Sequence, residues 1–406
     1  MGILDVNIEE LKKDYLNELK HASRKYEFIY IYGAGRVATM LCHLLKENHM
    51  AVDGFCVTDI YNNPNMILGI PVIPIDKLYV DKEKALFIIG TMKQKSGGII
   101  QTLKERGYIH YVDAPENINY FNDKKIEIRN RPILEVTPKI GCHVHCRYCP
   151  QDVLCKEYFK DKDRTSVMEF GLYKKCIDKT PMDCVIVFAG FVEPFFHPDA
   201  VDMIRYAADT GRDVSLYTTL VGLTMEKFEA IKDISFYEMV LHTADDDGYA
   251  NIPLTEEYFK VLDKVLQTNR ADGRPFVDYA NCQGIPHREV LKHTDGKLMI
   301  TNELVDRAGN IRYEEVFEDS HKKGNLICER ARDLNHSILL PDGSVVLCCM
   351  DFGMKHVLGN LAVQSYEELF MGTEMQKIKE AMRNDGAEVI CRYCSSALET
   401  EKAGHE

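Results

Sequence analysis

Cys142, Cys146 and Cys149 stand within the stretch GCHVHCRYCP, spaced C-x3-C-x2-C. With no secretion signal in view, clustered thiols point to metal ligation or catalysis and not to disulfides. A structural zinc site closes with four tetrahedral ligands. Only three come from this loop, and Cys155 lies on the segment after it. An iron–sulfur cube held by three thiolates keeps one iron open to a chelating ligand, which is a chemical reason for three. A structural zinc, or an accidental grouping, is the plainer alternative. A second set follows much later: Cys328, Cys348 or Cys349, and the pair Cys391 and Cys394 in CRYC. Four thiolates complete a cube; the same four would also close a zinc knob. A third pattern is YGAGRVA, with Gly33-x-Gly35-x2-Ala38, and Asp59 further on. Glycines there allow close phosphate approach, and a carboxylate accepts from a ribose hydroxyl. The alternative is a module used for packing or dimerisation.

The elements around these residues alternate. EFIYIYGAG (27–35), AVDGFCVTD (51–59), ALFIIGTM (85–92) and YIHYVDA (108–114) read as buried strands. RVATMLCHLLKEN (36–48) and GGIIQTLKERG (97–107) read as helices between them, which predicts a parallel sheet with crossovers over residues 1–125. The polar stretch 119–132 reads as a linker. A second alternation starts at Ile133, with strands at 133–138, 184–190, 213–219, 236–243, 276–283 and 297–304 and helices such as 167–178 and 255–269. Six such units make a partial (β/α)6 barrel over 126–305, with function at the C-terminal ends of its strands. The thiol loop follows the first of these strands. From 306 to 406 the pattern changes: NHSILLPDGSVVLCC reads as a hairpin around Pro-Asp-Gly and 365–384 as one helix. The predicted class is α/β: an N-terminal Rossmann-like sheet, a central partial barrel and a small C-terminal iron–sulfur domain.

The net charge of -13 argues against a nucleic-acid surface and an anionic membrane surface. No apolar run reaches the length of a membrane span. The first 21 residues read as an amphipathic helix and not a signal peptide, so the expected location is cytoplasmic.

The thiol loop resembles the signature of radical S-adenosylmethionine enzymes, with Tyr148 at the aromatic place before the third cysteine. The resemblance implies a 4Fe–4S cluster on Cys142, Cys146 and Cys149, whose open iron takes the methionine end of S-adenosylmethionine. Cleavage of that cofactor yields a 5′-deoxyadenosyl radical, which abstracts a hydrogen atom. FAGFVEPFFHPD (188–199) resembles the family's Gly-Glu-Pro segment and places Glu193 to receive the methionine ammonium, although Phe191 and Val192 separate it from Gly190. SLYTTLVGL resembles the strand-three segment; Ser215, Tyr217 and Thr218 are its polar candidates, the first two on one strand face and Thr218 on the other. The late cysteines resemble a SPASM or twitch extension. They imply one auxiliary cluster on Cys328, Cys348, Cys391 and Cys394, with Cys349 spare, a choice that rests on the Gly343-x4-Cys348 match. The first segment resembles Rossmann-like modules appended to enzymes of nucleotide-sugar synthesis.

Cys282, near the end of strand five, is a candidate hydrogen-atom donor if it faces the lumen; otherwise it is a small buried hydrophobe. His242 and Arg307 are candidate substrate contacts, the latter through its fork to a carboxylate or phosphate. Asp245 to Asp247 read as a solvated loop. The expected function is radical oxidation or epimerisation of a (nucleotide-linked) sugar, fed by an external electron donor such as flavodoxin or ferredoxin. Peptide maturation, and a non-catalytic metal-binding or electron-transfer protein, are the alternatives.

Overall fold

The structure is a computed structural model. It describes residues 8–59, 63, 65–91, 93–115, 118, 130–271, 273–294, 300–302, 307–311, 321–331, 333–385 and 387–400. Most of the linker, Asp306, and both ends of the sixth expected strand lie outside the described residues. The chain divides into two units, Met1–Ile126 with Thr294–Asn302, and Glu127–His293 with Glu303–Glu406.

The first unit holds β1 (Phe28–Tyr32), β2 (Gly54–Val57), β3 (Met66–Ile67), β4 (Ile70–Pro74), β5 (Ala85–Ile89) and β6 (Tyr111–Val112), in the order β3-β4-β2-β1-β5-β6. All neighbours are parallel except β3 with β4. Strand residues alternate between two cores: Ile29, Ile31, Phe55, Leu86 and Ile88 on one face, Tyr30, Tyr32, Cys56, Phe87 and Ile89 on the other. Both faces are covered, which is why these strands read as continuous apolar runs. Helices Ile8–Ser23, Arg36–Glu47 and Lys93–Glu105 belong to this unit. Strand β4 escaped the sequence pattern because Pro71 and Pro74 interrupt it. The order reverses between β1 and β5, the switch point beyond whose strand ends sheets of this kind bind ligands.

The second unit carries β7 (Ile133–Val136), β8 (Val185–Phe188), β9 (Val214–Thr218), β10 (Glu238–His242) and β11 (Tyr279–Cys282). Each is parallel to the next. The following strand, β12 (Ile300–Asn302), falls within the first unit's residues. The remainder forms β13 (Asn325–Cys328), β14 (His336–Leu339), β15 (Ser344–Val346), β16 (Val357–Asn360) and β17 (Ala397–Thr400). The hairpin is β14–β15, and β14 also lies parallel against β7 in the same sheet. An open parallel sheet leaves its first strand with unpaired backbone groups on one edge, and β14 pairs those of β7. The single helix expected over 365–384 is two, Tyr366–Met371 and Thr373–Ala381, because Gly372 is extended at φ -66, ψ 163. Ser365 and Glu368 form a capping box at the first of them.

Strand registers sort the side chains by face. Glu135, Val187, Ser215 and Glu238 are successive cross-strand partners, and His242 pairs with Asn281. Phe188, on the opposite face, packs its ring 6.1 Å from Tyr173 of helix Phe170–Asp178. The helices therefore cover the Phe188 face, and Glu135, Ser215, Tyr217 and His242 point inward.

Candidate functional site

After β7 the chain turns at Gly141 (φ +92), enters the thiol loop, and begins helix Gln151–Tyr158 directly after Pro150. The loop is pinned from outside. Arg147 N–H donates to Tyr249 O at 2.7 Å and Asn251 Nδ2 to His145 O at 2.9 Å. Asp245 accepts from the N–H groups of Tyr249 and Ala250, both at 2.8 Å. Asp245 is thus buried and structural and not part of a solvated run: it orders the segment that clasps the thiol loop. Burial raises the pKa of Cys142 and of Cys149, and pushes Cys146 up to about 12, with the neighbouring thiols adding to the effect. Three thiols gathered where anions are unfavourable fit a bound cationic centre, which deprotonates its thiol ligands outright. Tyr148 is buried with its hydroxyl bonded to Cys146, and Gln151 Nε2 donates to Cys149 Sγ at 3.3 Å.

The loop after β8 is tied to β7. Gly190 N–H donates to Glu135 Oε2 at 3.1 Å and Phe191 N–H to Thr137 Oγ1 at 2.9 Å. Three residues on, Glu193 is buried against the end of β9. Its Oε1 accepts from Thr218 Oγ1 at 2.7 Å and from Phe195 N–H at 3.4 Å. Its Oε2 accepts from Thr219 N–H at 2.6 Å and Thr219 Oγ1 at 2.7 Å. Burial raises the Glu193 pKa against these bonds. Four donors fill about the four lone-pair sites of a carboxylate. An incoming ammonium must therefore displace a threonine hydroxyl, which can rotate away. The Glu193 backbone N–H also reaches Cys142, so acid and thiol loop share one corner.

The inner face is polar. Tyr217 OH donates to Glu238 Oε2, and the Tyr217 and His242 rings lie 6.3 Å apart. Burial first, and then the Arg307 charge, lower the His242 pKa to about 4, so its ring is neutral near pH 7. Ser215 Oγ, Asn281 Oδ1 and Arg307 Nε are buried with no hydrogen-bond partner. Orphaned polar atoms converging on a lumen indicate a ligand that satisfies them. Arg307 reaches this space from a turn in which Arg307 and Ala308 both have φ +53. Asn310 fixes that turn through Arg307 O at 2.7 Å and Met350 O at 3.2 Å. The Arg307 guanidinium lies 5.8 Å from the Phe352 ring centre, and its charge acts on Cys149, His242 and Glu135. Cys282 does not join this group. It is next to Asn281 on β11, so it shares the helix-covered face of Ala280 and Leu241, and its thiol donates to Ala244 O at 3.7 Å.

The second cysteine set also comes together. Cys328, Cys348, Cys391 and Cys394 line one cavity with Cys349, Arg330 and His336. Cys348 is raised well above the ordinary thiol range by burial, then by Cys349, Cys391 and Cys394. Burial, followed by Cys328 and Cys394, raises Cys391. Cys349 lines the same cavity, with Arg330 Nη1 donating to its sulfur at 3.3 Å and Glu135 and His336 within 4.8 Å of it. Glu135, His336 and Cys349 have the donor types of a metal site. However, His336 Nε2 already contacts Glu135 Oε1 at 2.5 Å. Burial opposes the Glu135 charge, yet His336, Arg330 and Arg307 hold its pKa below the usual range. The carboxylate's charge is met by the protein's own groups. Glu135, His336, Thr219 and Arg330 were not singled out from sequence; the one usable signal was a carboxylate inside the apolar run ILEV.

In the first unit, Gly33 has φ +128, and a Cβ there would stand 2.7 Å from Gly90 O. Gly35, the residue before helix Arg36–Glu47, has nothing within 4 Å of a built Cβ, so open space faces that turn. Asp59 is exposed two residues after β2.

Residues 328–395 match the model of the SPASM family, an iron–sulfur cluster-binding domain. The second cysteine set thus lies in a domain of that kind. No curated protein matches the chain. Among solved structures, the chain is similar to BtrN in complex with AdoMet and 2-DOIA, at 16% identity over 66% of this chain and 92% of that one, with TM-score 0.45. It is also similar to anSMEcpe with bound AdoMet, at 12% identity over 65% and 86%, TM-score 0.39. Streptococcus suis SuiB bound to precursor peptide SuiA is similar at 10% identity over 69% and 78%, TM-score 0.39. Among the described residues, no helix is long and apolar enough to cross a membrane.

Proposed function

We propose that this protein is a radical S-adenosylmethionine enzyme that oxidises a sugar, nucleotide-linked, in glycan or secondary-metabolite synthesis. The observation that carries the reading is the corner where Cys142, Cys146 and Cys149 meet Glu193, at the C-terminal ends of β7 and β8. When bound there, a three-thiolate 4Fe–4S cluster with S-adenosylmethionine supplies a 5′-deoxyadenosyl radical that removes a hydrogen atom from substrate. Glu193, with Thr218 and Thr219, holds the methionine ammonium. Ser215 and Asn281 offer buried polar atoms to the cofactor or the substrate. Neutral His242 and the Arg307 fork contact the substrate. Tyr148 and Gln151 fix Cys146 and Cys149.

Oxidation is favoured over epimerisation by two placements. Cys282, the thiol that would return a hydrogen atom, is on the helix-covered face. Cys328, Cys348, Cys391 and Cys394 surround one cavity and supply the four ligands of an auxiliary cluster that takes up an electron. In this reading residues 1–125 bind the nucleotide through Gly33, Gly35 and Asp59 on a Rossmann-like sheet, 126–305 form the barrel, and 306–406 carry the auxiliary cluster. The electron donor is of the flavodoxin or ferredoxin class, and the protein is cytoplasmic.

The test uses anaerobically reconstituted protein. The parent holds about eight irons, four per cube. Replacing Cys142, Cys146 and Cys149 by Ala leaves about half of that iron and no 5′-deoxyadenosine under dithionite. Continued formation of 5′-deoxyadenosine in the triple variant defeats the assignment.

A further inference from the structure

Arg330 follows β13 and brings a cation to the cavity of the second cysteine set. Its guanidinium donates to Cys349 Sγ, 3.3 Å away, one residue from Cys348. The nearest carboxylate of this network, Glu135, is engaged by His336 and by Gly190 N–H. The charge of Arg330 is shared between the Glu135 carboxylate and the sulfurs of Cys349, Cys348 and Cys328. A cube with four thiolates gains a negative charge on reduction. Net charge and hydrogen bonds to sulfur set such potentials.

We propose that Arg330 is a positioning residue that sets the cluster of the second cysteine set as an electron acceptor, by holding a positive charge beside its sulfurs. The inference rests on the auxiliary cluster of the proposed function. In the step it serves, the substrate radical gives one electron to that cluster and its hydroxyl proton to the medium, leaving a carbonyl. The electron then leaves to an external flavodoxin-class carrier.

The experiment starts from the variant with Cys142, Cys146 and Cys149 all replaced by Ala, so that only this cluster remains. Iron content, absorption and electron paramagnetic resonance are followed in a redox titration. At the parent's midpoint, Arg330→Gln lowers the reduced-to-oxidised ratio at least tenfold, about 59 mV for one electron. Arg330→Lys restores most of it, and Glu135→Gln shifts the ratio the opposite way. An Arg330→Gln protein with full iron and the parent's midpoint overturns the inference. If Arg330→Gln loses its iron, Glu135→Gln decides: a raised midpoint supports the inference and an unchanged one overturns it. Absence of iron in the starting variant refutes the cluster itself and is seen before any titration.

Discussion

Gly190→Ala tests whether β7 holds the loop that presents Glu193. Gly190 sits at φ +54, where an L residue costs roughly 1–2 kcal/mol. A Cβ there would overlap Thr137 Oγ1 and lie 3.0 Å from Val136 O and 3.1 Å from Thr137 N. The backbone of β7 cannot retreat, so the Thr137 hydroxyl must, giving up its bond from Phe191 N–H. A buried N–H left without a partner costs about 1–3 kcal/mol, and overpacking adds about 1–3. The total is roughly 3–8 kcal/mol, which in a unit of this size lowers Tm by about 6 °C or more. Circular dichroism during heating reads this directly. The pair Thr137→Ala with Gly190→Ala is destabilised by less than the sum of the singles, because removing the hydroxyl makes room for the methyl. A fall under about 2 °C in the Gly190→Ala protein would refute the reasoning.

Three further outcomes follow from the placements. In heavy water, product is two hydrogens lighter and carries no solvent deuterium, and Cys282→Ser leaves both its mass and its rate near the parent's; a label abolished by Cys282→Ser would restore epimerisation. Gly35→Val lowers turnover of a nucleotide sugar while uncoupled cofactor cleavage and Tm persist, because the new side chain meets open space and not protein; equal turnover reduces the first unit to packing. The His242 pKa falls from 6.5 to about 4 on folding. The unfolded chain thus binds the proton more readily, and the stability carried by the neutral ring is complete above pH 6.5 and lost as pH falls toward 4. Urea unfolding of His242→Asn across that window shows a flatter pH dependence than the parent; parallel curves contradict the neutral ring.

Much of the chain's architecture follows from short-range physics. Runs such as ALFII are apolar at every position because both sheet faces are covered, so an unbroken short apolar run, and not a period, marks them. Gly33 is legible because the turn needs both a positive φ and close approach to Gly90. What the sequence hides is long-range pairing. Nothing local in HSIL says that it lies parallel to ILEV, some two hundred residues earlier. The reason is the open edge that β7 would otherwise present, a property of the assembled sheet. Gly372 is similar: its neighbours are good helix formers, and its extended backbone is set by packing at the junction of two helices.

The same distinction governs the site. The thiols of the first loop are legible because their ligand spacing is local, whereas Glu135 and His336 meet only through the β7–β14 pairing. Cys282 shows how a strand's two-residue period decides chemistry. At the end of β11 it is adjacent in sequence to Asn281, whose partner His242 faces the lumen. One position further along, the side chain turns to the helices, and a slip of one residue would exchange the two. The position that shares the His242 face is thus an amide and not a thiol. On the other side, β14, laid along β7, brings His336 to the wall of the second cysteine cavity. That one pairing links the strand leading into the first cysteine loop to the hairpin leading into Cys348, whereas Cys328 ends β13 of the separate β13–β17 sheet, and it is this linkage that supports the oxidation proposed above over epimerisation.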